Sequence, residues 1–195
     1  MMDMAPRKES SDSDDDWGPL SGLPGNPIMW VLIASELVAF GALFIAFAAV
    51  RLSDVELFAT SQDSLNRLSG AINTMVLVTS GFCAAVAVHY QSKNETLRTR
   101  IWLGAASLLG VVFLGVKWIE YGAKFAEGIS TETNTFFMFF FLLTGFHALH
   151  VVFGIILLLI VAWKNSLENV ITVTAFWHMV DLIWVILFPL IYLMR

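Results

Sequence analysis

The sequence predicts an all-α integral membrane protein, a bundle of five transmembrane helices. Three observations carry that expectation. Hydrophobic residues make up 57% of the 195 and charged residues only 14%, against about 45–50% and about 25% in a soluble domain. Five separate apolar stretches each reach the ~20 residues that a helix needs to cross about 30 Å of hydrocarbon. Backbone groups in lipid must be satisfied within their own segment, which leaves helices as the spanning form. An ordinary water-soluble enzyme is excluded.

Residues 1–27 come first and are of a different kind. They carry Asp3, Glu9, Asp12, Asp14, Asp15 and Asp16 against Arg7 and Lys8, with much Ser, Gly and Pro. Such a segment has too little apolar surface to offset the entropy of ordering, so a disordered acidic tail is expected. A cleavable secretory signal needs a basic start and a short apolar core. Here the start is acidic and the first apolar run is long, so that run reads as an anchor. The net charge of −5 and the lack of a basic face argue against nucleic acid as a partner. The one cysteine, Cys83, excludes an internal disulfide and reads as a small buried thiol.

The Pro24-Gly25-Asn26-Pro27 cluster ends the tail, and the membrane domain, 28–195, follows. Its spans are expected at about 28–50, 69–90, 101–122, 135–163 and 171–193, joined by short connections at 51–68, 91–100, 123–134 and 164–170. Lysine and arginine number six on the side of the tail and five on the other. The positive-inside rule then puts the N-terminus in the cytoplasm and Arg195 outside. Small-residue seams at Ala42/Ala46, Ser80/Ala84 and Ala106/Gly110 would let helix backbones approach closely. Trp30, Trp102, Trp118 and Trp163 lie near predicted span ends, where interfacial aromatics belong.

The informative residues are ionisable groups inside the spans: Glu36, His147, His150, His178 and Asp181. Such groups are costly in hydrocarbon and default to functional candidates. At about 1.5 Å of rise per residue, all five fall within one slab, roughly 8–15 Å from the face where the first span begins. His147 and His150 are three apart, as are His178 and Asp181, so each pair shares a helix face. The residues alone leave three readings open. The layer is an interhelical hydrogen-bond network with Glu36 and Asp181 accepting from imidazoles, or a proton relay, or a metal site. No H-E-x-x-H or cysteine cluster accompanies the histidines.

Secondary polar candidates are Asn73, Lys117, Glu120 and Tyr121. The last three lie about 24–30 Å along the third span, which makes them interfacial, with Lys117 and Glu120 able to pair. Asn73, Thr74, Thr79 and Ser80 read as helix-packing hydrogen bonders, and His89 as a solvated residue at a span end. The Phe136–Phe141 block reads as lipid-facing or packing surface. No c-type haem motif, iron–sulfur spacing or dinucleotide loop is present.

Longer motifs point to a family. Thr144-Gly145-Phe146-His147-Ala148-Leu149-His150-Val151 resembles the TGFHxxHV signature of subunit III of haem–copper oxidases. Phe176-Trp177-His178-Met179-Val180-Asp181-Leu182-Ile183-Trp184 resembles that family's last helix. Ser35-Glu36, Asn73-Thr74, Ser80-Gly81, His89 and Glu120-Tyr121 are similar to its other helices, in order, so the resemblance covers residues 28–195. Leu57–Gln62 and Thr133–Met138 look like the short five-helix members encoded beside nitric oxide reductases. Longer members have seven helices in a two-plus-five arrangement, and the resemblance begins at the third.

The resemblance implies a non-catalytic accessory subunit with no metal and no haem of its own. Haem and metals would sit in a larger catalytic partner, of the oxidase or the nitric oxide reductase type, in a bacterial cytoplasmic membrane. It also implies contact with membrane lipids, a phospholipid among them, and support of proton uptake by that partner. Carried over residue by residue, Glu36 becomes the lipid-facing or proton-linked group, while His147, His150, His178 and Asp181 tie spans four and five together. The competing classes are a stand-alone membrane metalloenzyme and a proton-coupled transporter.

Overall fold

The computed structural model describes residues 27–164 and 166–194. The acidic tail expected at 1–27 lies, apart from Pro27, outside the described residues. Helix α1 spans Pro27–Ser53, α2 Val55–Asp63, α3 Arg67–Ser92, α4 Thr96–Ala126, α5 Thr135–Lys164 and α6 Leu167–Phe188. Among the described residues, α1, α3, α4, α5 and α6 are the five long and apolar enough to cross a membrane. The chain is therefore a multi-pass membrane protein of wholly helical fold.

Helices α3, α4, α5 and α6 pack in a ring of neighbours, and α1 leans on the α5–α6 side. Helix α6 sends its largest side chains into the middle. Trp177 and Trp184 are fully buried there. Bare backbone makes room for the first of these: a Cβ on Gly154 of α5 would lie 2.6 Å from the Trp177 ring. Their indole N–H groups reach α3, Trp177 donating to Ser80 Oγ at 3.1 Å and Trp184 to Thr74 Oγ1 at 3.0 Å. Ser80 in turn donates to the carbonyl of Ala106 on α4 at 2.7 Å. Ser80 and Ala106 thus belong to a buried α3–α4 contact, Gly110 faces Trp177 of α6 and Ile155 of α5, and Ala42 faces outward.

Helix ends lie beyond the expected spans because polar caps, not loss of hydrophobicity, stop the helices. Asn66, Asn134 and Ser166 accept the backbone N–H groups of Ser69, Phe137 and Asn169, as capping residues do. Helix α4 ends in a Schellman turn, with Gly128 at φ 77° and the Ile129 N–H bonded to the Lys124 carbonyl at 2.9 Å, a geometry glycine adopts without a Cβ clash.

The expected connection at 51–68 instead contains α2. Asp54 caps it by accepting from the Leu57 N–H at 3.1 Å, and Phe58 is buried edge-on against Phe47 and Phe136. Phe136, Phe137, Phe139, Phe140 and Phe141 are all buried, so that block is packing surface, while Met138 points out. Trp118 and Trp163 are exposed, Trp30 and Trp102 partly covered. Cys83 is buried.

Helix α6 continues into a π-helical turn, Pro189–Leu193. Proline has no N–H for the carbonyl one turn back, and the Met194 N–H bonds five residues back to Pro189 at 2.9 Å. The amide of Gln62 on α2 donates to the carbonyls of Leu190 and Ile191 at 3.1 and 3.0 Å.

Candidate functional site

The ionisable residues inside the spans separate into two pairs and one isolated ring. Glu36 of α1 lies 3.0 Å from Nε2 of His150 on α5. The other nitrogen, Nδ1, lies 2.9 Å from the carbonyl oxygen of Phe146. A carbonyl only accepts, so Nδ1 carries a hydrogen. Nε2 and the Glu36 carboxyl oxygen stand at hydrogen-bond distance across the α1–α5 contact. The pair is partly open, with 23% of the Glu36 side chain exposed.

The second pair is on α6 alone. His178 Nδ1 lies 3.6 Å from Asp181 Oδ2, an ion-pair distance longer than a hydrogen bond. Asp181 rests against the backbone of α3, where a Cβ on Gly81 would be 2.0 Å from Oδ2. Asp181 Oδ1 is buried with no partner. His178 points outward, with 47% of its side chain exposed.

His147 is fully buried and neither ring nitrogen has a hydrogen-bond partner. Aromatic rings enclose it: Trp184 at 5.2 Å, Phe113 at 5.6 Å and Phe40 at 6.5 Å between centroids. Phe40 is also 5.3 Å from the His150 ring.

The single polar network expected from depth is therefore not what these residues form. Among the described residues no hydrogen bond joins the two pairs, and equal depth did not bring equal azimuth. Residues three apart stand about 60° from one another around a helix, and here that angle spans a helix boundary, with His147 facing the interior and His150 facing α1. Nor do the four residues tie spans four and five together as a set. Only His147 leans on α6, through Trp184. No three His, Cys, Asp or Glu side chains come together among the described residues.

The secondary candidates form the most enclosed polar group. Lys117 and Glu120 are not interfacial: both are buried, with Nζ and Oε2 2.7 Å apart. Tyr192 closes a triangle, accepting from Lys117 at 3.0 Å and donating to Glu120 Oε1 at 2.8 Å. The ammonium also lies 4.8–5.7 Å from the ring centroids of Phe140, Tyr121, Trp184 and Tyr192, within range of cation–π attraction. Helix α4 faces inward here because the π-helical turn carries Tyr192 across to meet it.

Tyr121 donates to Thr144 Oγ1 at 2.6 Å, since the one Thr144 hydrogen goes to the Phe140 carbonyl. Asn73 donates to the Phe113 carbonyl at 3.3 Å. Reasoning from sequence missed Tyr192, Gln62 and the two indole N–H groups. Only the Pro189 that starts the π-helical turn could have signalled Tyr192, since its effect on register depends on tertiary packing.

Several of these groups are bonded across helix contacts, Glu36 to His150, Lys117 to Tyr192 and Tyr121 to Thr144, while His147 and Asp181 Oδ1 have no hydrogen-bond partner.

Comparison with known proteins agrees with the motifs. The family model described as Cytochrome c oxidase subunit III matches residues 25–195. Cytochrome c oxidase subunit 3 of Thermostichus vulcanus is 33% identical over 186 residues, 84% of each chain. The probable quinol oxidase subunit 3 of Staphylococcus saprophyticus is 27% identical over 84% of this chain and 86% of that protein. The haem–copper oxidase subunit I+III of Aeropyrum pernix is 30% identical over 85% of this chain, which corresponds to 22% of that longer protein. The histidine-bearing α5 and α6 lie inside a match that runs through the whole membrane domain, and on this ground the chain belongs to the cytochrome c oxidase subunit III family.

Proposed function

We propose that this chain is a non-catalytic accessory subunit of a haem–copper respiratory complex, which steadies a larger haem-binding catalytic subunit in a bacterial cytoplasmic membrane. The observation that carries the reading is the family match over residues 25–195. The Aeropyrum pernix relative is named as subunits I and III in one protein, which favours a subunit I-like catalytic partner here. In this reading haem and metals reside in that partner and none in this chain.

Three finer features belong to the same proposal. The 57–62 and 133–138 segments favour a nitric oxide reductase as the partner, and the named relatives favour a terminal oxidase. Glu36–His150, partly open and in contact at 3.0 Å, is the group through which the chain would support proton uptake. A groove of about 490 Å³ between α1, α5 and α6, lined by Ile28, Leu32, Ile160 and Lys164 among others, suits a phospholipid acyl chain with its phosphate near the Lys164 ammonium. The N-terminus is assigned to the cytoplasm from the charge balance of the loops.

The test is purification of the tagged chain from its own host in mild detergent. A reduced-minus-oxidised haem spectrum and a co-purifying haem-binding subunit are expected. Consumption of oxygen or of nitric oxide by that sample separates oxidase from reductase. Stoichiometric metal on the isolated chain, without a haem-binding partner, would overturn the accessory reading.

A further inference from the structure

We propose that the groove between α1, α3 and α6 seats a transmembrane helix of the catalytic subunit, one that presents a hydrogen-bonding side chain to Thr174 and His178. The proposal rests on the accessory reading and adds to it a face and a recognition chemistry.

The groove has a volume of about 430 Å³ and is lined by Trp30 of α1, Ala85 and Val88 of α3, and Thr174, Ala175 and His178 of α6. Ile171, Ala175 and His178 of α6 line it at steps of four and three, a spacing that Leu182 and Val185 continue beyond the groove, and Ala85 of α3 falls in a like series with Val78, Phe82 and His89. Steps of four and three are the spacing at which one helix lays knobs into the holes of another. On α6 the stripe is half-buried to exposed, although that helix is otherwise the most enclosed of the spans.

Lipid alone would suit an apolar stripe, but polar atoms set this one apart. Thr174 Oγ1 is buried without a hydrogen-bond partner, and so is Asp181 Oδ1. Thr174 is 4% exposed and lines the groove. His178 stands between them, one turn from each, and is the imidazole among the intramembrane histidines that faces out. Residues 174, 178 and 181 cover about 10 Å of one helix face. A hydroxyl with neither donor nor acceptor, at the wall of the groove, and an outward imidazole at membrane depth call for a hydrogen-bonding neighbour, because hydrocarbon supplies none.

The floor of the groove selects the neighbour. Ala85 and Ala175 are small, and small residues beside a hydroxyl and an imidazole are the composition of a transmembrane helix contact. A helix backbone fits against alanine, and one serine, threonine or asparagine side chain from it can serve Thr174 and His178.

The test uses the full chain in its native membrane. A photoreactive benzoylphenylalanine is placed at Ala85, at Ala175 or at outward-facing Leu108 on α4, and adducts are identified by mass after purification. Adducts with the co-purifying haem-binding subunit are expected from positions 85 and 175 and not from 108. In parallel, Ala175→Leu and Ala85→Leu fill the groove. Each is expected to lower recovery of that subunit about tenfold at equal membrane level, while Leu108→Trp leaves it unchanged. Should a leucine variant fail to accumulate, the photoreactive adducts still decide. Adducts only with lipid or an isoprenoid quinone, or adducts with the haem-binding subunit from 108 alone, overturn the proposal and leave the accessory reading standing. Absence of any haem-binding subunit from the unmodified sample overturns both.

Discussion

The ammonium of Lys117 and the carboxylate of Glu120 lie 2.7 Å apart inside the bundle, with only 3% and 6% of their side chains exposed. Neither charge is stable there alone. Together with Tyr192 they use up one another's hydrogen-bonding capacity, and the surrounding rings take up the rest of the cation's field. The triangle joins α4 to the end of α6, which are not ring neighbours, and so braces the bundle across its diagonal.

Lys117→Met is therefore expected to lower stability by about 3–5 kcal/mol, since it strands a buried carboxylate. The double change Lys117→Met with Glu120→Leu is expected to recover most of that loss, because both charges then leave together. Thermal unfolding in a fixed detergent reads the difference. Equal losses for the single and double variants would contradict the coupling.

Packing around Trp177 gives a paired comparison. A methyl added at Gly154 meets the Trp177 ring at 2.6 Å, whereas one added at Gly104 meets nothing within 4 Å. Gly154→Ala should destabilise by about 1–3 kcal/mol through overpacking. Gly104→Ala should stabilise by up to about 1 kcal/mol, since alanine is the better helix former. Midpoints of thermal unfolding that move together for the two variants would refute this account of the α5–α6 contact.

Much of this molecule was legible in its residues, and the part that was not has a common cause. Span number and order follow from apolar runs, which report only whether a residue suits hydrocarbon. The depth of Glu36, His147, His150, His178 and Asp181 follows from counting at a fixed rise. Which way each side chain faces around its helix does not. Hence His150 was found against Glu36 rather than beside α6, and Lys117 inside the bundle rather than at the membrane surface. Helix α2 was missed because its nine residues are too short and too polar for a span. Its marks, Asp54 as a cap and Phe58 as an anchor, are single residues whose meaning depends on Phe47 and Phe136.

Asp181 and Glu36 should differ in what their loss does. Glu36→Gln keeps a partner for His150, since the glutamine amide N–H can donate to Nε2 while Nδ1 keeps its hydrogen on the Phe146 carbonyl, so its cost is expected at about 0.5–1.5 kcal/mol. Asp181→Ala removes the side chain lying on Gly81 and leaves a void at the α3–α6 contact. It is expected to lower both membrane level and recovery of the haem-binding partner more than Glu36→Gln does. Immunoblotting of membranes and of the purified complex reads both. Equal levels and equal partner recovery for the two variants would count against the distinction.

The last turn of the chain depends on a side chain from the connection between the first two spans. Gln62 is buried, and its amide supplies the donor for the Leu190 and Ile191 carbonyls. The π-helical turn stops at Leu193, where Met194 takes up extended backbone, so no continuing helix supplies N–H groups to the Leu190 and Ile191 carbonyls and their donor comes from Gln62. Gln62→Leu keeps the volume and removes the donor, which leaves two buried acceptors unpaired at roughly 1–3 kcal/mol each. The loss should be local. Tyr192 is held from inside by Lys117 and Glu120, so the turn loosens without α6 leaving the bundle. Hydrogen exchange at residues 190–194 should quicken by at least about tenfold, the factor that ~1.4 kcal/mol of local opening corresponds to. Exchange along 170–185 should stay as it was. Unchanged exchange at the end of the chain would mean that Gln62 does not hold the turn, and uniform acceleration along α6 would mean that the turn and the helix open as one unit.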